Sequence, residues 1–229
     1  MGRRIAAIIR HGDYHQIPGA PSAHQPYPLN TDGEKHAAEA AVIIGEIQQQ
    51  YGWMLAKKID SSQMLRAWQT ADIIAQNLGS QHELQSFNDL AERGVGCAAN
   101  LTAKQIVKII HDDPRYPELP QNWKSNSEYR LPLQGAESLL EAGKRVAKHL
   151  TWRLSELPVD GVDTLKLFVG HGAAFRHAAF HLGVMEYDDI ARLSMFHGRP
   201  VFVELLQDGR WSHIAGEWKV RAMNSEFKD

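Results

Sequence analysis

Short strand-like segments alternate with longer helical segments along this chain, and this alternation restricts the fold more than any other feature of the sequence. The predicted strands are residues 4–9, 58–60, 82–87 and 165–169. Strands that are joined through helices usually run parallel in one sheet, and the helices then cover both of its faces. The sequence therefore predicts an α/β fold, a three-layer α/β/α sandwich with a mainly parallel central sheet.

Capping residues and glycines mark where the predicted helices begin and end. Two capping boxes are present: Thr31 with Glu34, and Thr102 with Gln105. The helices that they open should run to about residues 51 and 111. Three more helices are predicted: from Ser61 or Ser62 to Leu78, from about Ala136 to Leu157, and from Gly172 to about Gly183. Residues 201–206 and 211–215 should form a terminal β-hairpin.

The composition is that of a globular protein without a broad charged surface. The chain has 229 residues and a formal net charge of −2, so we expect one domain over residues 1–229 and no nucleic-acid or membrane partner. Proline-rich residues 112–135 are predicted to be an irregular insertion in that domain. Cys97 is the only cysteine, which excludes an internal disulfide. Because no apolar run is long enough for a signal peptide or a membrane span, we expect a cytoplasmic location.

Polar residues of one kind follow three of the predicted strands. Arg10-His11-Gly12 ends the first strand, and Gly170-His171-Gly172 ends the last parallel one. Ser61 and Ser62 end the second, with Arg66 about one turn into the next helix. Because ligands bind at the carboxyl ends of parallel strands, these groups should converge on one spot. Arginine forks and helix N-termini both favour anions, so the spot should bind a phosphoryl group.

The residues at this spot fit phosphoryl transfer through histidine. A neutral His11 imidazole can attack phosphorus and form a phosphohistidine, while Arg10 neutralises charge on the phosphoryl oxygens. Gly12 is expected to remove side-chain bulk where the substrate approaches. Protonation of the leaving oxygen needs a general acid. Glu92, in a loop after a predicted strand, is the first candidate and Asp13 is the competitor.

Five short motifs resemble the histidine phosphatase superfamily, which is also called phosphoglycerate-mutase-like. They are RHG at 10–12, SSQMLRAWQTA at 61–71, LAER at 90–93, GAES at 135–138 and VGHGAAFR at 169–176. Their order and separations match the family from about residue 4 to residue 206. The runs RHGDYH at 10–15 and RLSMFHG at 192–198 are similar to the mutase-like protein phosphatases of that superfamily.

The resemblance implies a role for each motif residue. His11 would be the phosphorylated nucleophile, and Glu92 the proton donor. Arg10, Arg66 and His171 would complete the phosphate pocket, and the reaction would need neither a metal nor another cofactor. We also assign Gly12 and Gly172 to phosphate binding, since both glycines flank the histidines.

The segment after the first histidine departs from the family pattern. Many members have Glu or Gln there, then Thr or Ser, then a nearby Asn that contacts phosphate. In this chain the segment is Asp13-Tyr14-His15-Gln16. We predict that His15 replaces the missing Asn contact.

The sequence thus predicts a metal-independent phosphomonoester hydrolase that acts on a phosphorylated small molecule or a phosphoprotein. One alternative is a phosphoglycerate-type mutase, which returns the phosphoryl group to substrate rather than to water. Another is a phosphate-binding or scaffold protein without turnover. His177 and His181 have a spacing found in zinc sites, but no third ligand accompanies them, so packing or surface positions are expected.

Overall fold

A computed structural model describes residues 2–21, 24–79, 81–158 and 160–221 of the chain. It contains nine strands: β1 (Arg4–Arg10), β2 (Met54–Leu55), β3 (Lys58–Ser62), β4 (Glu83–Phe87), β5 (Thr164–Gly170), β6 (Leu193–Ser194), β7 (Val201–Leu205), β8 (Trp211–Ala215) and β9 (Lys219–Val220). Its six α-helices are α1 (Thr31–Tyr51), α2 (Leu65–Leu78), α3 (Ala103–His111), α4 (Leu139–Ser155), α5 (Gly172–His181) and α6 (Tyr187–Arg192).

The central sheet is mainly parallel, as predicted. Its strands follow the order β4-β3-β5-β1-β7-β8, and the short β2 also pairs with β5. Strands β1 to β5 pair in parallel. The predicted hairpin of β7 and β8 closes one side, where β7 runs antiparallel to β1. A separate two-stranded sheet pairs β6 with β9.

Alternate side chains of β1 belong to two different apolar cores, one on each face of the sheet. Ile5, Ala7 and Ile9 pack on one face with α1 and α2, whereas Ala6 and Ile8 pack on the other with α4 and α5. Successive strand side chains point to opposite faces, so a strand that is buried on both sides reads as a continuous apolar run. Helices on both faces give the predicted three-layer sandwich.

The predicted starts of α1 and α2 are wrong. Asn30, one residue before the predicted Thr31, caps α1, and its Oδ1 accepts the N–H of Gly33 at 2.8 Å. Helix α2 begins at Leu65, without a side-chain cap, rather than at Ser61 or Ser62. Both serines belong to β3, where ladder pairing with β4 holds them extended.

The capping box at Thr102 and Gln105 is present as predicted. Helix α4 begins at Leu139, three residues after the predicted start. Its capping box, which the sequence analysis missed, joins Ser138 and Glu141.

The chain between α3 and α4 is formed by turns and bends, and residues 112–135, all of which the structure describes, contain no helix or strand. A small apolar cluster packs beneath this segment, including Trp123, Leu131 and Ile106 of α3. None of the helices in the described part of the chain is long and apolar enough to cross a membrane.

A buried charged network joins the sheet to α4, and the sequence analysis did not predict it. The carboxylate of Asp60 on β3 accepts hydrogen bonds from Lys166 at 2.6 Å, Arg153 at 2.7 Å and His149 at 2.9 Å. Asp60 is fully buried. Burial raises its pKa, but these hydrogen bonds and cations outweigh burial and lower it from 3.8 to about 2.

Candidate active site

The ends of β1, β3 and β5 meet at one edge of the sheet. Arg10 pairs with Gly170, and Ser61 pairs with Val169, so the residues that follow these strands lie side by side. The structure brings His11 and His171 together there, with their ring centroids 5.1 Å apart. Both side chains are buried.

Arg66 lies between the two histidines. Its Nε donates to Nε2 of His11 at 3.1 Å, and its Nη2 donates to Nδ1 of His171 at 3.2 Å. Its Nη1 donates to the main-chain oxygen of Gln25 at 3.0 Å. Arg66 is completely buried, so it is part of the site and not a surface residue of α2.

These contacts determine the tautomers of the histidines. The Nδ1 of His11 lies 2.7 Å from the carbonyl oxygen of Gly12, which can only accept, so Nδ1 carries the proton and Nε2 has the lone pair. Nδ1 of His171 accepts from Arg66, so its Nε2 carries the proton and donates to Oγ of Ser62 at 2.9 Å. To donate a hydrogen bond to a phosphoryl oxygen, the Nε2–H of His171 would have to give up its hydrogen bond to Ser62.

Burial and nearby positive charge keep both imidazoles neutral. Burial lowers the pKa of His11 well below 6.5, and the cation of Arg66 lowers it further. The pKa of His171 is lowered in the same direction by the same two causes. Nucleophilic attack requires the unprotonated nitrogen that a neutral imidazole provides.

Arg10 is buried beside this pair. Its Nη1 donates to the main-chain oxygen of Met195 at 3.1 Å. A Cβ at position 172 would lie 3.0 Å from the Cδ of Arg10. Gly172 therefore allows the arginine to pass close to the first turn of α5.

The carboxylate of Glu92 faces the N-terminus of α5. Its Oε1 accepts the backbone N–H of Arg93 at 2.9 Å and that of Ala174 at 3.1 Å. Ala174 lies in the first turn of α5, where a negative side chain is favoured. Glu92 is only 6% exposed, so the structure holds it in a defined position rather than in solvent.

His15 is exposed and lies outside the group formed by His11, Arg66 and His171. This corrects its predicted place as a phosphate contact. Tyr14 forms an antiparallel bridge with Leu29, and the N–H of His15 donates to the main-chain oxygen of Pro28 at 3.1 Å. Tyr14 therefore points inward, with its ring 5.3 Å from that of His11 and 4.4 Å from the guanidinium carbon of Arg66. The next side chain, His15, points outward and is exposed.

Gly12 has a different role from the predicted one. A Cβ at this position would lie 2.2 Å from the main-chain oxygen of Gly33, so glycine is needed for close packing on α1 rather than for substrate access. The N–H of Gly12 donates to Oγ1 of Thr70 at 3.0 Å, and that hydroxyl donates to the main-chain oxygen of Arg66 at 2.7 Å. Thr70 thus links the loop of His11 to the helix of Arg66.

Three residues of the site had no local sequence signal. Tyr14 stands where the family pattern has a small hydroxyl residue, so only the departure itself marked it. Gln25 is fully buried and accepts the N–H of Ile17 at 2.8 Å, although it lies in a proline-rich loop. Thr70 looks like an ordinary helix residue until its partners are known.

A cavity of about 980 Å³ opens beside the group formed by His11, Arg66 and His171. Tyr14, Glu92 and Ala173 line it on the side of the histidines, and Asn122–Ser127 contribute five of the residues on another wall. A pocket of this size can hold a small organic molecule. Within the described residues, no group of three or more His, Cys, Asp or Glu side chains is arranged to hold a metal ion.

The fold and this site define a phosphoglycerate-mutase-like α/β protein. The chain belongs to the histidine phosphatase superfamily (branch 1), whose family model matches residues 6–214. This membership confirms the family predicted from the sequence motifs and identifies the chain as an enzyme of the phosphatase type. A comparison with curated protein sequences finds no significant match.

Solved structures with the same fold are similar over nearly their full length. Mycobacterial glucosyl-3-phosphoglycerate phosphatase is 20% identical, with a TM-score of 0.69 over 95% of this chain and 97% of that one. The alpha-ribazole phosphatase of Shigella flexneri is 16% identical, with a TM-score of 0.67 over 96% of each chain. Phosphoglycerate mutase of Bacillus anthracis is 15% identical, with a TM-score of 0.70 over 93% of this chain and 92% of that one.

Proposed function

We propose that this protein is a metal-independent phosphomonoester hydrolase that forms a phosphohistidine on His11. The observation that carries the proposal is the lone pair on Nε2 of His11, which is directed at the guanidinium of Arg66. A buried neutral imidazole beside a fixed cation suits attack on a dianionic phosphoryl group.

In the first step, Nε2 attacks phosphorus and the bond from phosphorus to the leaving oxygen breaks. The Nε–H of Arg66, which now donates a hydrogen bond to Nε2, would donate it to a phosphoryl oxygen instead, and Arg10 would neutralise a second oxygen. A proton from Glu92 passes to the leaving oxygen, so the product departs as an alcohol. In the second step, Glu92 takes a proton from water, the water oxygen attacks phosphorus, and His11 is released with inorganic phosphate.

Glu92 is favoured over Asp13 as the proton donor. Partial burial raises the pKa of Asp13, but hydrogen bonds from the side chain of Asn30 and the backbone of Tyr14 bring it below 3.8. These hydrogen bonds favour the carboxylate form of Asp13 and oppose its protonation. Glu92 uses Oε1 for both of its backbone hydrogen bonds, which leaves Oε2 as the atom to carry the proton.

The cavity supports a phosphorylated small molecule as the substrate. Its walls come from the loop after β1, the segment of Asn122–Ser127 and helix α6, and together they would enclose a leaving group of moderate size. Two structural relatives are described as a glucosyl-3-phosphoglycerate phosphatase and an alpha-ribazole phosphatase, which fits this substrate class. A phosphoprotein is the competing substrate.

The first test is hydrolysis of p-nitrophenyl phosphate after exhaustive EDTA treatment. We expect full activity, which is abolished in His11→Ala. Loss of activity on chelation, with recovery on adding Mg²⁺ or Zn²⁺, would rule out the metal-independent mechanism. No hydrolysis by the wild type would instead support a phosphate-binding or scaffold protein.

A second assay addresses the mutase alternative. Incubation with 3-phosphoglycerate and bisphosphoglycerate should release inorganic phosphate and form no 2-phosphoglycerate. A panel of phosphorylated metabolites and phosphopeptides should show higher kcat/KM on a metabolite. Faster hydrolysis of the peptides would contradict the small-molecule assignment.

A further inference from the structure

The segment Met195–Gly198 holds the end of β1, although it lies more than 180 residues further along the chain. The N–H of Gly198 donates to the main-chain oxygen of Arg10 at 2.9 Å, and Arg10 and His197 form a parallel bridge. The side chain of Arg10 donates in turn to the oxygen of Met195. Both the backbone and the side chain of Arg10 are therefore fixed by this segment.

His197 contacts His11, the residue that follows Arg10 in the chain. Its Nδ1 lies 2.6 Å from the main-chain oxygen of His11. A carbonyl oxygen can only accept, so Nδ1 of His197 carries the proton and donates. The two rings are 5.5 Å apart.

Packing fixes the ring of His197 in this orientation. It stacks on His36 of α1 with 5.6 Å between centroids and 11° between planes. Gly198, with a φ of +66°, lets the segment approach α1, because a Cβ there would lie 2.2 Å from the main-chain oxygen of His36. Burial, together with the nearby cation of Arg10, lowers the pKa of His197 to about 4, so the ring is neutral at neutral pH.

The peptide plane between His11 and Gly12 is held on both sides by this arrangement. Nδ1 of His197 donates to the carbonyl oxygen of His11, and the N–H of Gly12 donates to Oγ1 of Thr70. The following carbonyl, that of Gly12, accepts from Nδ1 of His11 and so sets the orientation of the ring. A rotation of this peptide plane would move that carbonyl and turn Nε2 away from its target.

We propose that His197 is a positioning residue for His11: its hydrogen bond to the carbonyl of His11 aims the Nε2 lone pair of that residue at phosphorus. This role rests on the proposed phosphohistidine mechanism, and the contact that carries it is the hydrogen bond of His197 to the main chain of His11. A misplacement of about 1 Å in a reacting group can cost about 10²-fold in rate. Loss of this hydrogen bond should therefore slow phosphorylation of His11 by roughly that factor, while KM changes little.

The test is the rate of phosphoenzyme formation, measured by rapid quench with p-nitrophenyl phosphate, in His197→Leu, His197→Asn and His197→Gln. The Nδ2 of asparagine can occupy the place of Nδ1, whereas glutamine places its amide one carbon further out. We expect a loss of about 10²-fold in the Leu and Gln variants and a rate within about fivefold of wild type in the Asn variant. His213→Ala is the matched control, since the exposed His213 also contacts main-chain oxygens, of Ala215 and Gly216, and its rate should not change.

Two results would overturn the inference. One is a Leu variant within about threefold of wild type, and the other is an Asn variant as slow as the Leu variant. A separate measurement on the wild type covers the case in which the variants do not fold. Long-range ¹H–¹⁵N NMR should show His197 as the Nδ1–H tautomer, and the Nε2–H tautomer would exclude the proposed bond. If the wild type itself forms no phosphoenzyme, the proposed function fails, whereas normal phosphorylation in the Leu variant removes only the role of His197.

Discussion

Replacing Glu92 with Gln should separate proton transfer from structure at this site. The Oε1 of Glu92 accepts two backbone N–H groups, and the amide oxygen of glutamine can accept the same two. The amide nitrogen would then replace Oε2, which removes the transferable proton. Because both backbone hydrogen bonds are kept, the variant should fold with a Tm close to that of the wild type.

The effect on catalysis should depend on the leaving group. General acid catalysis contributes about 10²–10⁴ in rate, or about 3–5 kcal/mol of barrier, when the departing oxygen is strongly basic. Hydrolysis of an alkyl phosphate by Glu92→Gln should thus fall by at least about 10²-fold. The kcat/KM for p-nitrophenyl phosphate reports the steps up to departure of the leaving group and not the later attack of water. It should fall by less than about tenfold, because p-nitrophenolate leaves without a proton.

The assay compares kcat/KM for the two substrates in wild type, Glu92→Gln and Asp13→Asn. The side chain of Asp13 faces Asn30, which donates to it at 2.9 Å, and its variant should slow both substrates equally. If Asp13→Asn shows the leaving-group dependence and Glu92→Gln does not, the two roles are reversed. Equal losses on both substrates in Glu92→Gln would mean that Glu92 orients the site and transfers no proton.

Three further predictions concern buried ionisable side chains. Arg66→Lys keeps the positive charge but cannot span His11 and His171 with one planar group, so kcat/KM should fall by about 10²–10³-fold; a change within twofold would mean that Arg66 does not bind the transferring phosphoryl group. Asp60→Asn leaves Lys166 without its buried partner and should lower the free energy of unfolding in urea by about 3–5 kcal/mol. Glu83→Gln, at an ion pair with Lys57 in which both side chains are at least half exposed, should change it far less. Folding lowers the pKa of two buried histidines, His177 and His197, from 6.5 to about 4. As the pH falls, these histidines therefore bind protons in the unfolded state before they do so in the folded state. Their contribution to stability is complete above pH 6.5. It should be lost at up to about 1.4 kcal/mol per pH unit for each histidine as the pH falls toward 4, and a urea midpoint that stays constant between pH 6.5 and 4.5 would contradict this.

Local signals predicted much of the fold. Strands β1 and β5 are apolar runs because both of their faces are buried, and this produces a pattern that is visible in the sequence. The capping box of Thr102 and Gln105 involves residues three apart, so it could also be predicted. The start of α2 could not, since pairing of β3 with β4 keeps Ser61 and Ser62 in the strand.

The site could be predicted only where topology carries the information. Parallel strands place His11 and His171 at one edge, so their proximity follows from the fold class. The direction of His15 depends on the bridge between Tyr14 and Leu29, a contact that no local pattern indicates. The contact of His197 with His11 spans 186 residues and likewise becomes visible only in the folded chain.

The most direct test of the account is to trap the intermediate during turnover. Wild-type enzyme quenched in alkali within milliseconds of mixing with a labelled phosphomonoester should carry label that is stable to base and labile to acid, as phosphohistidine is. Peptide mapping should place it on His11 at Nε2, and its rate of formation should be at least as fast as kcat. If hydrolysis proceeds at the full rate while His11 stays unlabelled, the phosphohistidine mechanism is wrong.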